Sequence, residues 1–306
     1  GGQGMEIAYN KSNVEEYMGI INRVKQEHPV LIDKYLMGRE IEIDAISDGE
    51  EILIPGIMEH IERAGIHSGD SIAVYPAENL SKCTVDRIID CTARLARALR
   101  VKGLINIQYI EYDGEVYVIE VNPRSSRTVP FISKITGIPM VDLATRAMLG
   151  QKLKDMGYGM GLYPRKNVVA VKVPVFSFEK LPLVEVSLGP EMKSTGEVLG
   201  LGRTLSEALY KGLMAAGYDL KKEGSVLITV ANSHKQEIIS IAADFESLGF
   251  DILATSGTAH VLNSNYVAAS VVNRVSQEHP NIVDYIHQGK ISLIINTPTK
   301  GRIPQR

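Results

Sequence analysis

Two apolar-rich runs joined by Asp113-Gly114 constrain the fold of this chain more than any other feature. The first run covers residues 103–112 and the second covers residues 115–122, and Asp-Gly between such runs is a strong signal for a β-hairpin. Successive side chains on a strand point to opposite faces, so Glu120 and Asn122 are expected to project together. Carboxylate and amide oxygens are ligands that Mg²⁺ prefers, which indicates a metal site on this strand.

The length of the turn decides whether Gln108 joins this pair. A two-residue turn pairs Gln108 with Ile119 and faces it away from Glu120. A three-residue loop, 112–114, pairs Gln108 with Val118 and brings the three polar groups to one side. The pattern leaves both registers open, and the simpler hypothesis is a hairpin whose polar residues lie on a solvated face.

Two arginines, Arg124 and Arg127, follow the second strand in a loop that begins at Pro123. A guanidinium group presents its N–H donors in a planar fork that suits phosphate or carboxylate. The loop therefore adds candidate anion contacts beside the candidate metal ligands.

The length and composition are those of an ordinary globular chain. There is room for two domains in 306 residues, and 44% hydrophobic and 23% charged residues are typical values. A net charge of −3 without a basic stripe argues against binding to nucleic acid. The sequence has no apolar run of about eighteen residues, so no membrane span is expected.

The cysteines bear on the cellular compartment, and the chain ends bear on the extent of the polypeptide. Cys83 and Cys91 are the only cysteines, and their spacing fits neither a metal site nor a disulfide. Two idle thiols and no signal peptide indicate a cytoplasmic protein. The chain begins Gly-Gly-Gln without Met and stops after a strand-like run, so we expect both ends to be cuts through a longer polypeptide.

Two strand patterns precede the hairpin. Residues 30–36 predict a buried strand, and residues 40–46 alternate strictly between polar and apolar. Glu40, Glu42 and Asp44 share one face of the second strand, which predicts a solvated antiparallel sheet. The alternative is that one of these acids accepts hydrogen bonds from a sugar.

Residues 58–71 form the densest polar loop of the sequence. Its histidines and acids suggest zinc, for example on His60, Glu62 and His67, but the spacing does not match an H-E-x-x-H pattern. A loop that closes on a ligand with backbone amides, His67 and Ser68 is the stronger hypothesis.

Beyond a short lysine-rich stretch at residues 219–224 the pattern changes to strands alternating with helices. Apolar strands are predicted at residues 225–230, 250–254, 266–272 and 291–295, which implies a parallel sheet covered on both sides. Ligands of such sheets bind at the carboxyl ends of the strands. The residues at those ends that suit an anion are Lys235, Thr255, Thr258, Asn296 and Thr297, with Arg274 after the 266–272 strand.

Several motifs together resemble the large subunit of carbamoyl phosphate synthetase. They are residues 2–7 (Gly-Gln-Gly-Met-Glu-Ile), 56–62 (Gly-Ile-Met-Glu-His-Ile-Glu), 64–71 (Ala-Gly-Ile-His-Ser-Gly-Asp-Ser), 118–124 (Val-Ile-Glu-Val-Asn-Pro-Arg), 127–131 (Arg-Thr-Val-Pro-Phe) and 188–192 (Leu-Gly-Pro-Glu-Met). The resemblance is to the second ATP-grasp half of that subunit and its methylglyoxal-synthase-like regulatory domain. It implies an α/β chain: an α+β ATP-grasp part (1–150), a connecting segment (151–218) and an incomplete parallel-sheet regulatory domain (219–306).

The resemblance also implies roles for individual residues. Gln108, Glu120 and Asn122 correspond to the family's Mg²⁺ or Mn²⁺ ligands, which favours the three-residue loop, and Arg127 corresponds to a phosphate-side arginine. The implied ATP-binding positions are Gln3, Lys34, Leu36, Glu40, Gly65, Ile66, His67, Ser68, Gln108 and Glu120. His60, Glu62, Asp70 and Glu191 fall where some members bind the effector ornithine, and Lys235, Thr255, Thr258, Arg274, Asn296 and Thr297 lie around the family's regulatory nucleotide pocket.

By this resemblance, the chain would phosphorylate carbamate with MgATP to give carbamoyl phosphate and ADP, in pyrimidine and arginine biosynthesis. The implied partners are a glutaminase small subunit and an N-terminal half of the large subunit, in a hetero-oligomer, with a purine or pyrimidine nucleotide as effector. The segment alone is not expected to be a competent synthetase. The alternatives are another ATP-grasp ligase and a non-catalytic nucleotide-sensing module.

Overall fold

The computed structural model describes residues 4–8, 10–21, 23, 29–178 and 186–297. The predicted nucleotide contact at Gln3 lies outside these residues. The chain divides into two compact units, Gly1–Tyr218 and Asp219–Arg306. Each unit has its own sheet, and the finer division between residues 150 and 151 stays a prediction.

The first unit is built on a nine-stranded, mostly antiparallel sheet. Its strands are β1 (Arg39–Asp48), β2 (Ile52–Ile54), β3 (Ile57–His60), β4 (Ala73–Tyr75), β5 (Lys102–Tyr112), β6 (Glu115–Asn122), β7 (Gly161–Leu162), β8 (Val169–Val175) and β9 (Gly196–Gly202). The main order is β6-β5-β1-β3-β4-β8-β9, so the predicted hairpin forms one edge. The short strand β2 pairs with β1 and, in parallel, with β7.

Helices cover both faces of this sheet. They are α2 (Lys82–Ala98), α3 (Val129–Thr136), α4 (Met140–Met148) and α5 (Leu205–Ala215), whereas α1 (Lys11–Ile21) has no buried residue. Alternate residues of β1 divide between the two faces: Ile41 and Ile43 pack under α2, whereas Ile46 belongs to the core under α3 and α4. On the face of β1 that contains Ile46, only the Ile46 end is apolar. The remainder of that face carries the polar side chains of the candidate site.

The hairpin register differs from the one that the resemblance favoured. Tyr112 pairs with Glu115, so the turn is the two-residue one, and the prediction of a three-residue loop was wrong. A β-bulge nevertheless lies between the pairs Tyr109–Val118 and Gln108–Glu120. The extra residue shifts the register by one, so Gln108 and Glu120 are direct partners on one face.

The same bulge corrects the predicted alternation of β6. In an uninterrupted strand Val116 and Val121 would point to opposite faces. Both pack against the core under α2, because the extra residue reverses the alternation between them.

Two other predictions for the first unit were wrong. Residues 30–36 form no regular strand, and Leu31 is exposed. The acids of β1 are not solvated: Glu40, Glu42 and Asp44 are 6%, 3% and 1% exposed. Neighbouring strands and the 58–71 loop supply partners that bury this face, and the alternating pattern of β1 carries no information about them.

The second unit has the predicted parallel sheet. Its elements are β10 (Ser225–Thr229), α6 (Ile238–Ser247), β11 (Asp251–Ala254), α7 (Ser256–Ser264), β12 (Ala269–Val271), α8 (Ile282–His287) and β13 (Ile291–Asn296). The strand order is β12-β11-β10-β13, and every pair is parallel. Helix α7 was not predicted, since its sequence is rich in Ser, Thr and Asn, which are weak helix formers.

Within the described part of the chain, no helix combines the length and the apolarity that a membrane span requires.

Candidate functional site

Three polar side chains meet on the edge hairpin, on the face that also carries the buried acids. Gln108 and Glu120 are paired across the two strands, and Asn122 is two pairs further along, opposite Asn106. Asn122 Nδ2 donates to Glu120 Oε1 at 2.9 Å, and Gln108 Nε2 donates to Ser68 Oγ at 2.8 Å. One carboxylate and two amide oxygens thus lie together, a donor set of the hard oxygen type that suits Mg²⁺ or Mn²⁺.

The two arginines lie in the loop that follows this hairpin, and both are exposed. Arg124 Nη1 donates to the carbonyl oxygen of Ser125 at 3.0 Å. Arg127 Nη1 lies 3.1 Å from the sulfur of Met192. Among the residues that the structure describes, neither guanidinium group pairs with a carboxylate, so both remain available to a phosphate.

Behind the hairpin, a buried histidine links two of the acids. His60 Nδ1 lies 3.2 Å from Glu40 Oε2, and its Nε2 lies 3.3 Å from Glu42 Oε2. Burial alone would lower the pKa of His60, but the two carboxylates outweigh it and raise that pKa to about 9. Burial likewise raises the pKa of Glu42, yet hydrogen bonding to His60 prevails and lowers it to about 2. The three groups form a charged, buried unit.

Asp44, the third acid of β1, has a raised pKa, in contrast to the lowered pKa of Glu42. Burial, and then the charge of Glu42, raise the pKa of Asp44 to about 7. Its carboxyl group accepts hydrogen bonds from Thr128 Oγ1 and, at 3.2 Å, from Asn106 Nδ2. Because two buried like charges repel, the Glu42–Asp44 pair tends to keep a proton at neutral pH.

The loop after β3 lies beside both groups of side chains. Gly65 N–H donates to Glu40 Oε1 at 3.0 Å, and Lys172 Nζ donates to the Ser68 carbonyl oxygen at 2.8 Å. Gly65 has a φ of +94°, a conformation that glycine adopts without strain. His67 is half-buried, which lowers its pKa, and its Nδ1 accepts from the Gly69 N–H at 3.0 Å. The predicted loop residues Gly65 to Ser68 are therefore fixed against the acid face.

The segment that contains Lys34 and Leu36 reaches this loop through its middle residue. Tyr35 OH donates to the Ala64 carbonyl oxygen at 2.5 Å. Lys34 is exposed, and Leu36 is half-buried. The structure therefore places two further predicted nucleotide contacts next to the loop, although the segment has no regular secondary structure.

The four residues at ornithine-type positions are engaged in different ways. Glu62 Oε2 accepts from the Ile72 N–H at 2.6 Å. Both oxygens of the fully buried Asp70 accept backbone N–H groups, from Lys193 and Ser194, each at 2.8 Å. His60 lies in the charged unit described above, and Glu191 is exposed. The structure gives Asp70 a clear part in holding two loops together.

The zinc hypothesis finds no support in the described residues. Within them, no group of three or more His, Cys, Asp or Glu side chains is arranged to hold a metal ion. His60 and His67 have the partners given above.

Sequence reasoning missed two buried polar residues. Lys172 is 1% exposed on β8, and burial lowers its pKa. Asn106 is 2% exposed on β5 and bonds to Glu42 Oε1 at 2.9 Å. The available signal was a polar residue between apolar neighbours, Val171 and Val173 for Lys172 and Ile105 and Ile107 for Asn106, since such a residue is costly to bury unless it has a partner.

In the second unit, several predicted residues line one cleft at the carboxyl ends of the strands. Its volume is about 520 Å³, and Thr255, Arg274 and Asn296 line it. Lys235 lies against the first turn of α7, since a methyl group added at Gly257 would come within 3.0 Å of its Nζ. A helix N-terminus with a lysine amine beside it favours the binding of an anion.

The other two predicted residues of the second unit are engaged internally. Thr258 is buried in α7. Thr297 Oγ1 accepts the Ala231 N–H at 2.8 Å and lies 3.0 Å from His234 Nδ1. Thr258 thus packs in the core, whereas Thr297 ties the end of β13 to the loop after β10.

Comparison with solved structures bears on the fold alone. A structure titled as the ADP complex of N5-carboxyaminoimidazole ribonucleotide synthetase superposes with a TM-score of 0.50 at 16% sequence identity. The match covers 71% of this chain and 58% of that chain. The first unit is of the ATP-grasp type, and the second has a methylglyoxal-synthase-like parallel sheet.

Two family models match the sequence. Residues 1–156 match the model described as carbamoyl-phosphate synthase L chain, ATP binding domain, and residues 237–306 match the MGS-like domain. The chain belongs to the carbamoyl phosphate synthase large-chain family, as the resemblance predicted.

Curated relatives agree with the family models. The carbamoyl phosphate synthase large chain of Clostridium botulinum is 55% identical over 307 aligned residues, which cover 100% of this chain and 29% of that protein. The large chain of Agathobacter rectalis is 57% identical over 301 residues, which cover 98% of this chain and 28% of that protein. The chain therefore spans less than a third of the length of these relatives.

Proposed function

We propose that the first unit binds MgATP and transfers its γ-phosphoryl group to carbamate, giving carbamoyl phosphate and ADP. The observation that carries this proposal is the meeting of Gln108, Glu120 and Asn122 on one sheet face, next to the Gly65–Ser68 loop. The family's ATP-binding domain supports ATP as the nucleotide. Phosphoryl transfer asks mainly for positioning and charge neutralisation, and this site offers both.

The residues of the site divide this work between them. Glu120, Asn122 and Gln108 would hold Mg²⁺ or Mn²⁺, which when bound neutralises charge on the phosphates. Arg127, in the loop after β6, would contact a phosphate oxygen through its exposed guanidinium group. The loop at Gly65–Ser68 and the segment at Lys34 and Leu36 would hold the nucleotide. The same groups orient ATP and stabilise the spreading negative charge.

Glu40 has a role that its contacts restrict. The resemblance placed it on the ribose, yet Oε1 accepts from Gly65 N–H and Oε2 lies 3.2 Å from His60. We propose that Glu40 acts on the nucleotide mainly by holding the Gly65 loop, while the second lone pair on each of its oxygens is left for a ribose hydroxyl.

For the second unit we propose an effector site for a phosphorylated nucleotide. The cleft lined by Thr255, Arg274 and Asn296, and the amine of Lys235 over the first turn of α7, support an anionic ligand.

Further features follow from membership of the family. We propose that the chain works in the cytoplasm as part of a hetero-oligomer with a glutaminase small subunit and an N-terminal half of the large chain. The relatives are named as large chains, which supports the existence of other parts.

The proposal is tested in the complete large chain by the reverse reaction, formation of ATP from ADP and carbamoyl phosphate. Glu120→Gln should lower the rate at least about a hundredfold, because it replaces a charged metal ligand by a neutral one. Glu115→Gln, a matched change on the same strand at a residue that pairs with Arg87 at 3.1 Å, should leave the rate within about twofold.

The same measurement separates the alternatives. A rate unaffected by Glu120→Gln would contradict the proposed site. Nucleotide binding lost only in Lys235→Ala or Arg274→Ala would favour a nucleotide-sensing module. If the protein instead catalysed a different ATP-dependent ligation, and Glu120→Gln lowered that activity about a hundredfold, it would be another ATP-grasp ligase.

A further inference from the structure

The amide of Asn122 has a defined orientation in this structure. Its Nδ2 donates to Glu120 Oε1 at 2.9 Å. A carboxylate can only accept hydrogen bonds, so the nitrogen end of the amide must face Glu120. The carbonyl oxygen of Asn122 is therefore the end that is left for a cation.

Asn106 has an equally defined orientation for a separate reason. Its Nδ2 donates to Glu42 Oε1 at 2.9 Å and to Asp44 Oδ1 at 3.2 Å. The same nitrogen lies 3.5 Å from the carbonyl oxygen of Ile43, a group that can only accept. With its nitrogen turned to these acids, Asn106 presents its Oδ1 to Asn122 Nδ2, at 3.5 Å.

Gln108 provides the contrast. Its Nε2 faces Ser68 Oγ at 2.8 Å, but a hydroxyl can either donate or accept. That contact would be satisfied by either end of the Gln108 amide. Of the two amides in the candidate metal site, only Asn122 is oriented by partners that cannot exchange roles.

The relation to a bound cation follows from these contacts. A cation on Glu120 draws on the same carboxylate that now accepts the Asn122 amide, which weakens that hydrogen bond. Asn106 Oδ1 is then the acceptor that remains for Asn122 Nδ2. Groups that orient metal ligands in this way are commonly as important for affinity as the ligands' own geometry.

We propose that Asn106 is a positioning residue that keeps the carbonyl oxygen of Asn122 facing the cation, and that Glu42 in turn fixes Asn106. This inference rests on the proposed function, since it takes Glu120 and Asn122 as ligands of Mg²⁺ or Mn²⁺. It assigns the buried acid face of β1 a part in metal binding without direct contact with the metal.

A double-mutant cycle tests the inference in the complete large chain. Mn²⁺ binding is measured in the presence of ADP by the electron paramagnetic resonance signal of free Mn²⁺. Asn106→Ala should weaken binding about tenfold or more, the range expected for a group that orients a metal ligand. In an Asn122→Asp background the same change should have less than a twofold effect, because a carboxylate offers an oxygen whichever way it turns.

Three outcomes would decide the matter. An equal loss in both backgrounds would show that Asn106 acts by packing, and would overturn the inference. Unchanged Mn²⁺ affinity in Asn106→Ala alone would overturn it as well. Unchanged affinity in Glu120→Gln would instead contradict the proposed metal site, so the two failures are distinguishable.

Two further variants guard against misfolding. Asn106→Ser keeps a hydrogen-bond donor for the buried acids but is too short to reach Asn122, so it should weaken Mn²⁺ binding as the alanine does. Thr128→Val removes a donor to both Asp44 and Glu42 without touching Asn122, and it should leave Mn²⁺ affinity within about twofold. A tenfold loss in Thr128→Val would attribute the effect to the acid cluster in general and contradict a role specific to Asn106.

Discussion

The two units place their polar groups at different positions on a sheet. In the first unit the groups lie on the face of an antiparallel sheet, and most of them are buried and bonded to one another, as Glu40, Glu42 and His60 are. In the second unit the charged groups Lys235 and Arg274 lie where parallel strands end, outside the apolar core. A face site depends on strand register, whereas a strand-end site depends only on strand direction.

This difference separates stability from binding. A buried, mutually bonded group leaves its partners unsatisfied when it is removed, so its loss costs folding free energy. A charged group in an open cleft is solvated without its ligand, so its loss costs affinity instead. Substitutions of the buried, mutually bonded groups of the first unit should therefore lower the free energy of unfolding, and substitutions of the charged groups of the second unit should lower ligand affinity.

The largest effect on stability is expected for Asp70→Ala. The partly buried N–H of Lys193 and the buried N–H of Ser194 would lose their acceptor, at a cost of about 4 kcal/mol in the free energy of unfolding. Urea denaturation measures this loss. The exposed Asp251 of the second unit is the matched control, and Asp251→Ala should change the free energy by less than about 0.5 kcal/mol. Equal losses of unfolding free energy in Asp70→Ala and Asp251→Ala would contradict the difference drawn between the two units.

A pH dependence is expected from His60. Its pKa is raised from an ordinary value of 6.5 to about 9 in the folded protein, so its stabilising contribution is complete below pH 6.5 and is lost as the pH rises through 9. The free energy of unfolding should fall by on the order of 3 kcal/mol across this window. Denaturation at pH 6 and pH 9 checks this, and His60→Gln should abolish most of the fall. A wild-type protein equally stable at both values would show that His60 does not carry this charge.

In the second unit, Lys235→Ala should weaken the binding of a nucleoside monophosphate about tenfold, which is the loss expected for one charge-assisted hydrogen bond. Its free energy of unfolding should change by less than about 0.5 kcal/mol. Calorimetry and denaturation measure the two quantities, and Lys222→Ala is the control on an exposed lysine. A large loss of stability in Lys235→Ala would contradict the division drawn above.

The smallest effect is expected for the hairpin turn. Gly114 has a φ of +76°, and an added methyl group would meet no atom within 4 Å. Gly114→Ala should therefore cost only the backbone strain of the left-handed conformation, about 1 kcal/mol. Thermal or urea unfolding detects this, and Gly189→Ala, which needs no such conformation, should be close to neutral. A cost well above 2 kcal/mol would mean that the turn also sets the register of the candidate site.

Much of the second unit could be predicted from sequence. Apolar strands that alternate with helices admit few arrangements, and the parallel order then brings the residues after each strand to one edge. Thr255, Arg274 and Asn296 meet for this reason alone. Helix α7 escaped prediction because tertiary packing of Ala259 and Leu262 compensates for its weak local propensity.

The sequence by itself determined the hairpin, the neighbourhood of Glu120 and Asn122, and the parallel sheet, because local turn chemistry and alternation encode them. The tertiary structure alone decided three things: the bulge that returns Gln108 to the face of Glu120, the burial of the acids of β1, and the partners Ser68 and Lys172. One extra residue in a strand changes every later side-chain direction, and a residue's burial depends on segments distant in sequence. Neither is written in the local pattern of the strands themselves.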